Sequence, residues 1–399
     1  MSDESKVVPM TARRRAPSPR HIAEFAATAR RLQQEREAAA NVVDRLLRDT
    51  PRGRWSELAQ REELQSCGAL ERLGTVVNQT IGRDPRQALT AAQLAVSIAR
   101  ALPADSYPPV VLAQLCAHAY KDLAKAMLYL GRFDEALAAL DEAERRAAPH
   151  GALVHDLAIV QLVRAASLQE VSRYDEAFAV LASAKAIFRN HSDAKRVFIC
   201  GIAEGVLLHR LRRYREAREA YLLLLTAPAD PADRESIAAL HLAIGLCSVE
   251  LSDFDVAEAH LSRALEMFHS LGQPLQAAKA ELGRGRMFVR RGDPDRGIAH
   301  LHPIRADFLR NSLVEEAGLC GLEIVEAHLI RGSAAEAESL ARQIVSEFVA
   351  ASLNQRAITA LGFLTEAIAA RSVSRELVID VREYILSLRT SPEREFAFA

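Results

Sequence analysis

Apolar residues fall at alternating three- and four-residue steps along most of this chain, the spacing of helix faces turned toward a core. From His21 to about Arg48 one stripe runs through Ile22, Phe25, Ala29, Leu32, Ala39, Val43 and Leu46, broken by Arg36. Pro51 and Gly53 end it, and a short link holding Trp55, the single tryptophan, follows. From about Glu63 onward the stripes come in pairs. In the clearest pair, Leu112 to Leu130 reads as one helix, Gly131-Arg132 as a turn, and Phe133 to Ala147 as the next helix. Gly131 suits the left-handed conformation that closes a helix, and Asp134 and Glu135 suit the positive start of the one that follows. The same reading repeats at Ser172-Arg173, Arg212-Arg213, Ser252-Asp253, Arg291-Gly292 and Arg331-Gly332. An earlier pair turns at Arg83-Asp84-Pro85, with proline at the start of its second helix. A last pair turns near Arg371-Ser372. No segment alternates with period two between hairpin turns, so essentially no sheet is expected. The pattern predicts eight helical hairpins.

The pairs are regular enough to be a repeat. Ala177, Ala217, Ala257, Gly297 and Ala337 stand 40 residues apart, Leu377 extends the series, and Ala136 precedes it by 41. Three residues before each small residue comes an aromatic or its stand-in: Phe133, Tyr174, Tyr214, Phe254, Pro294, Ala334. Twelve residues upstream lie Ala124, Ala165, Gly205, Gly245, Gly285 and Val325. A fixed period of this length signals a stacked array whose units bury their apolar faces against their neighbours. Small residues let paired helices approach closely, and the aromatic is expected to fill the wedge between hairpins.

These residues resemble tetratricopeptide repeats. The matches are Leu123-Ala124, Gly131, Phe133, Ala136 and Ala143, then Ala165, Tyr174, Ala177 and Ala184, then Gly205, Tyr214 and Ala217, then Gly245, Phe254, Ala257 and Ala264. The next two units depart from the motif at Pro294, Gly297, Val325 and Ala334. The period also exceeds the usual ~34 residues. Longer helices, or loops such as Asp230-Pro231 and Gly272-Gln273-Pro274, are expected to hold the extra six. The span from about Val43 onward is similar to a group of bacterial tetratricopeptide proteins through DRLLRDTPRGRW, RDPRQALTAAQLAVSIARAL and EYILSLRTSPEREFAFA. Some of that group begin with an anti-sigma-like zinc finger built on HxxxCxxC, a motif absent here. A more distant similarity reaches the repeat domains of bacterial peptide sensors and of transcription-activating signal ATPases, without their DNA-binding or ATPase domains. The resemblance implies an all-α, right-handed α-α superhelix and a role in protein interaction.

The expected organisation is a basic disordered tail (1–20), an amphipathic helix (21–50), a linker (51–62), the solenoid (63–390) and a C-terminal tail (391–399). The helix over 22–46 packs on its own protein or drives self-association. Formal net charge is −1, which removes any chain-wide attraction to nucleic acid or acidic membrane. The five cysteines, Cys67, Cys116, Cys200, Cys247 and Cys320, lie in apolar helical contexts without CxxC spacing, as buried free thiols of a reducing compartment would. With no apolar leader and no stretch approaching ~18 apolar residues, a cytoplasmic protein away from membranes is expected.

Catalytic chemistry finds no foothold. Gly283-Arg284-Gly285 lies inside a helix and is no phosphate loop. His300 and His302 do not share a helical face, and no HExxH, paired-carboxylate or Gly-x-Ser-x-Gly arrangement occurs. No enzyme, metal or cofactor is expected. The first helices of the pairs should instead line a concave groove through His118, Lys121, Lys125, Ile159, Leu162, Ile199, Ile202, Val206, His209, Leu242, Leu246, Lys279, Arg286, Arg290, Leu319 and Leu322. An apolar centre with basic flanks suits a helix or extended peptide of a protein partner. The expected role is a scaffold or regulatory adaptor. The alternatives are a peptide or small-molecule sensor and, against the charge balance, a nucleic-acid-binding helical repeat using the run Arg284, Arg286, Arg290, Arg291.

Overall fold

The computed structural model describes residues 19–81, 84–226, 234–388 and Phe396. The expected tail ahead of Pro19, the Asp230-Pro231 loop and all of 391–399 but Phe396 lie outside the described residues. Among those described there are seventeen α-helices, three 3-10 helices and no strand. The chain forms two compact units, residues 1–122 and 123–399, considered in turn.

In the first unit, α1 (Pro19–Asp49) packs along α2 (Cys67–Thr80), which pairs with α3 (Pro85–Ala101) ahead of α4 (Pro109–Tyr129). The second half of the α1 stripe is used internally: Ala39 and Val43 are buried. Arg36 pairs with Glu71 at 2.6 Å and Arg72 with Asp44 at 2.8 Å. Gly68 is obligatory here, because a Cβ would collide with the Glu35 carbonyl of α1. The Tyr107 hydroxyl donates to Glu35 and accepts the Cys67 N–H at 2.9 Å. So α1 is docked over these residues; the side chains of Ile22, Phe25, Ala29 and Leu32 lie outside the described set. The expected linker is also folded. Arg52–Gln60 and Glu62–Leu64 are 3-10 helices that bury Trp55, Leu58, Ala59 and Leu64, and the Trp55 indole donates to the Thr50 carbonyl at 3.0 Å.

The second unit takes in the end of α4 and α5 (Phe133–Ala147), followed by α6 (Val154–Glu170) with α7 (Tyr174–Asn190) and α8 (Ala194–Arg210) with α9 (Tyr214–Thr226). Then come α10 (Arg234–Glu250) with α11 (Phe254–Ser270), α12 (Pro274–Arg290) with α13 (Pro294–Arg310), and α14 (Val314–Arg331) with α15 (Ala334–Ala350). The chain closes with α16 (Gln355–Ala369) and α17 (Arg375–Leu388). The 40-residue period now has a simple origin. Most of these helices are 17 residues long, and three-residue turns such as 171–173 and 191–193 join them both within and between hairpins. Longer helices therefore hold the extra residues, and Gly272-Gln273-Pro274 is a tight turn rather than an added loop.

The three-residue turns close by the same backbone device. Ser172 N–H bonds to the Gln169 carbonyl and Arg173 N–H to the Leu168 carbonyl at 2.9 Å, with Ser172 in the left-handed region at φ 61°. Glycine fills that position at Gly131, Gly272, Gly292 and Gly332, but Ser192, Arg212, Ser252, Ser312, Ser352 and Arg371 accept the strain elsewhere.

Packing follows the register. Gly205 lies against the Tyr221 ring, Gly245 against Leu261 and Gly285 against Leu301, each sixteen residues on; a Cβ on Gly245 would stand 2.7 Å from Leu261. In the unit that departs from the motif the sizes are exchanged. Val325 takes the small position and Ala341 the large one, both wholly buried. Phe133 is buried, but Tyr174, Tyr214 and Phe254 are only half-buried. The aromatics that fill the core are a second series on the same period, Phe188, Phe268, Phe308 and Phe348, each at most 4% exposed. All five cysteines are free and buried, and burial pushes the thiols of Cys67, Cys247 and Cys320 up to about 12 and that of Cys200 to about 11.

Two expectations are corrected. One stretch, Gly151–Glu170, is long and apolar enough by length and composition to cross a membrane. Its apolar side serves the hairpin, with Ala158, Val160, Ala165 and Leu168 buried in the core shared with α7. And α17 does not simply continue the array. It lies on α14, the first helix of the preceding hairpin, as well as on its own partner α16.

Candidate functional site

The register positions expected to line a groove fall, in the second unit, on its first helices and divide into two stretches. On α6, α8 and α10 the side chains are apolar. Ile159, Leu162, Ile202, Val206 and Leu246 are half-buried and Ile199 is 42% exposed, whereas Leu242 has sunk into the core. On α12 and α14 the same register positions carry charge. Lys279 is exposed, Arg286 and Arg290 are partly buried, Leu319 is half-buried and Leu322 is completely buried. Lys125, near the end of α4, is half-buried. In the first unit, His118 and Asp122 line a cleft of about 220 Å³ with Glu71 and Gly74, and Lys121 pairs with Asp122 at 2.9 Å. Within the second unit, Leu242 and Leu322 are buried while Ile199 is exposed.

Leu322 is completely buried in a core to which α17 also contributes. Val378, Val381, Tyr384, Ile385 and Leu388 join the core that contains Leu322. Along the same contact runs a buried ion network. Arg382, 5% exposed, reaches Glu323 at 2.6 Å and Glu326 at 3.6 Å, and Arg375 bonds to Glu326 at 2.6 Å. From α12, Arg286 also pairs with Glu323 and reaches Glu250 at 3.4 Å, while Arg290 lies 3.5 Å from Glu250 and 3.8 Å from Glu326. On the far side Arg212, in the turn between α8 and α9, meets Asp380 at 3.2 Å and Glu383 at 3.3 Å. So α17 meets α14 directly and the α8–α9 turn through Arg212, while α10 and α12 join the network through Glu250, Arg286 and Arg290.

The electrostatics follow from burial and pairing. Burial raises the Glu323 carboxyl, but Arg286 and Arg382 outweigh it and hold the group below the ordinary value. Burial likewise opposes the charge of Arg286, and Glu323 and Glu250 more than restore it. For Arg382 burial wins, and its value falls. His209 is lowered by burial and by Arg286, so it is held neutral beside Tyr214, ring centroids 5.1 Å apart. The basic run Arg284, Arg286, Arg290 is paired with Glu258, Glu281, Glu250, Glu323 and Glu326; it is an internal network rather than a solvated basic face.

Other polar clusters are small. His241 and His260 face each other, Nδ1 to Nδ1, at 3.0 Å; burial and then His260 bring His241 down to about 4. His155 meets Asp193 at 2.9 Å, and His300 meets Glu281 at 2.9 Å, apart from His302. Among the described residues no group of three or more His, Cys, Asp or Glu could hold a metal ion.

The arrangement has counterparts among known structures. Over 90% of this chain it superposes on a signal transduction ATPase with numerous domains that carries a tetratricopeptide repeat sensor, from Pyrococcus horikoshii, with a TM-score of 0.58 and 14% identity. The fold is that of a tetratricopeptide-like α-solenoid. The match spans about half (53%) of the archaeal chain. Aspartyl phosphate phosphatase F from Bacillus subtilis superposes over 70% of each chain with a TM-score of 0.53 and 10% identity. No family model matches the sequence, and no curated protein does. At these identities the similarity establishes the fold alone.

Two functional features escaped the sequence reading: the acids Glu250, Glu323 and Glu326, and the helix seated on them. One signal was available. Glu170 and Arg210, Glu250 and Arg290, and Arg286 and Glu326 are opposite charges one period apart, and in a stacked array one period apart means side by side.

Proposed function

We propose that this protein is a non-catalytic scaffold or regulatory adaptor, and that the inner face of its second unit binds a peptide or helix of a protein partner. The observation that carries this reading is the apolar row Ile159, Leu162, Ile199, Ile202 and Val206. These residues stand at successive register positions and remain half-buried or exposed, whereas on α14 Leu322 and Glu326 at the equivalent positions are buried and only Leu319 is half-buried. Ile159, Leu162 and Ile202 pack one side against the cores beneath them and keep the rest of their surface open, and an open apolar row of this kind is what a partner would cover. A short apolar helix lying along it would bury its anchors there and place its ends near Arg212 and His209. The tetratricopeptide repeat sensor of the archaeal ATPase supports a regulatory role of this kind. Five buried free thiols suit a cytoplasmic setting. A nucleic-acid role is disfavoured by the pairing of the inner-face arginines with acids.

The test is affinity capture with the wild-type chain and with Ile199→Arg/Val206→Arg, after circular dichroism shows that both melt alike. A protein retained at fixed stoichiometry by the wild type and lost by the variant supports the inner face. Equal capture by both overturns it.

A further inference from the structure

The helix α17 occupies the inner face as a ligand would, and this inference rests on the reading of that face as the partner site. Its seat is polar at the centre. A permanent core contact of this size would gain from apolar side chains, whereas Arg382 between Glu323 and Glu326 incurs desolvation of all three charges and mainly fixes register. The small position of the second helices, alanine or glycine in the repeats before it, is Leu377 in α17. The outer edge of α17 is held only by Arg212 against Asp380 and Glu383, whose side chains are 54%, 37% and 48% exposed. Exposed bridges of this kind contribute little and are easily exchanged. The seat also reaches His209, on α8, beside the open apolar row: Glu383 from α17 and Glu250 and Arg286 from the seat all act on that ring.

We propose that α17 is a displaceable internal occupant of the partner site, and that the partner is an amphipathic helix of the same chemistry. Such a helix carries apolar residues in the spacing of Val378, Val381, Ile385 and Leu388, an arginine beside the second of them, and two acids three residues apart on its outer edge. It would take over the arginine site at Glu323 and Glu326 and the acid site at Arg212.

The experiment uses the full chain and a fluorescently labelled synthetic peptide of residues 372–399. Asp380→Arg/Glu383→Arg sets α17 against Arg212 without touching the buried network. This variant should lose hydrogen-exchange protection over 375–388 and bind the peptide at least about tenfold more tightly than the wild type, in which α17 competes at high effective concentration. Adding Arg212→Asp should re-close α17 through bridges of reversed sign and abolish peptide uptake. If the first variant does not melt cooperatively, Asp380→Ala/Glu383→Ala removes the same bridges while leaving Arg212 for the incoming peptide, and should shift both readouts in the same direction. Protection of 375–388 equal to that of α14 in every variant, with no peptide bound, would make α17 a fixed core helix and overturn the proposal. Loss of partner capture by Ile199→Arg/Val206→Arg would still stand in that case, so the two readings fail separately.

Discussion

The two stretches of the inner face are built on one scaffold and differ in what they need. On α6, α8 and α10 the register positions carry Leu162, Val206 and Leu246, which rest half-buried on cores that are already complete. On α12 and α14 the equivalent positions carry Arg286, Leu322 and Glu326, and this surface is complete only with α17 in place. An apolar row tolerates water at modest cost, because partial exposure loses only the transfer energy of the exposed area. A buried charge with a missing partner is far less forgiving. The same backbone can therefore present a surface that waits for an occupant and one that already holds it, and the choice is made by a few side chains one period apart.

The largest effect should come from breaking the charged stretch. Glu323→Ala leaves Arg286 and Arg382 facing each other without their shared carboxylate, and should cost about 3–5 kcal/mol in chemical denaturation. Leu322→Arg should be comparably severe, since that side chain is completely buried. If Glu323→Ala instead melted like the wild type, the network would contribute nothing, and the contrast between the stretches would vanish.

Next in size is a control on the shared scaffold. Gly205→Val and Gly285→Val, one in each stretch, should each cost about 1–3 kcal/mol, because even a Cβ collides with Tyr221 or Leu301. Combining Gly285→Val with Leu301→Ala copies the Val325 and Ala341 arrangement and should recover most of the loss; a double variant no better than the single would show that register does not set this packing.

These pairs also show how much the sequence disclosed. Turn positions, hairpin pairing and the small positions were legible because each depends on residues within one period, and Gly205, Gly245 and Gly285 do what their spacing implies. The aromatic positions were half legible. Tyr174 and Tyr214 carry the motif, but Phe188, Phe268, Phe308 and Phe348, spaced by whole periods, carry the packing. The seating of α17 was not legible as a repeat feature at all. It depends on Arg212 meeting residues 168 and 171 positions away, and no local pattern encodes such a pair. The predicted groove was consequently too uniform, placing Leu242, Leu322, Arg286 and Arg290 on a free surface that they do not share with Ile199.

Acid should sharpen the contrast by a smaller amount. His209 is held neutral in the fold, with its value lowered by burial and Arg286, while the unfolded chain takes up a proton near the ordinary histidine value. Stability is therefore lost as pH falls below about 6.5, and His209→Gln should flatten that part of a Tm-against-pH curve. Glu323 works in a lower window. Its folded value is depressed, so its contribution is full above about 4.3 and is lost as pH falls through the folded value. A His209→Gln curve identical to the wild type would remove the histidine from the account.

The smallest effect on stability belongs to the open stretch, and its smallness is the point. Ile199 is 42% exposed, so Ile199→Arg adds a charge that stays in water and should change unfolding free energy by no more than about 0.5 kcal/mol. Leu322 is the residue four periods along from Leu162, and arginine there should be ruinous. Measured side by side, the two substitutions ask one question of one surface. If Ile199→Arg destabilises the chain as Leu322→Arg does, the open row is core after all and has no room for a partner. If it is silent in unfolding yet abolishes capture, the exposed isoleucine is there for something outside the fold.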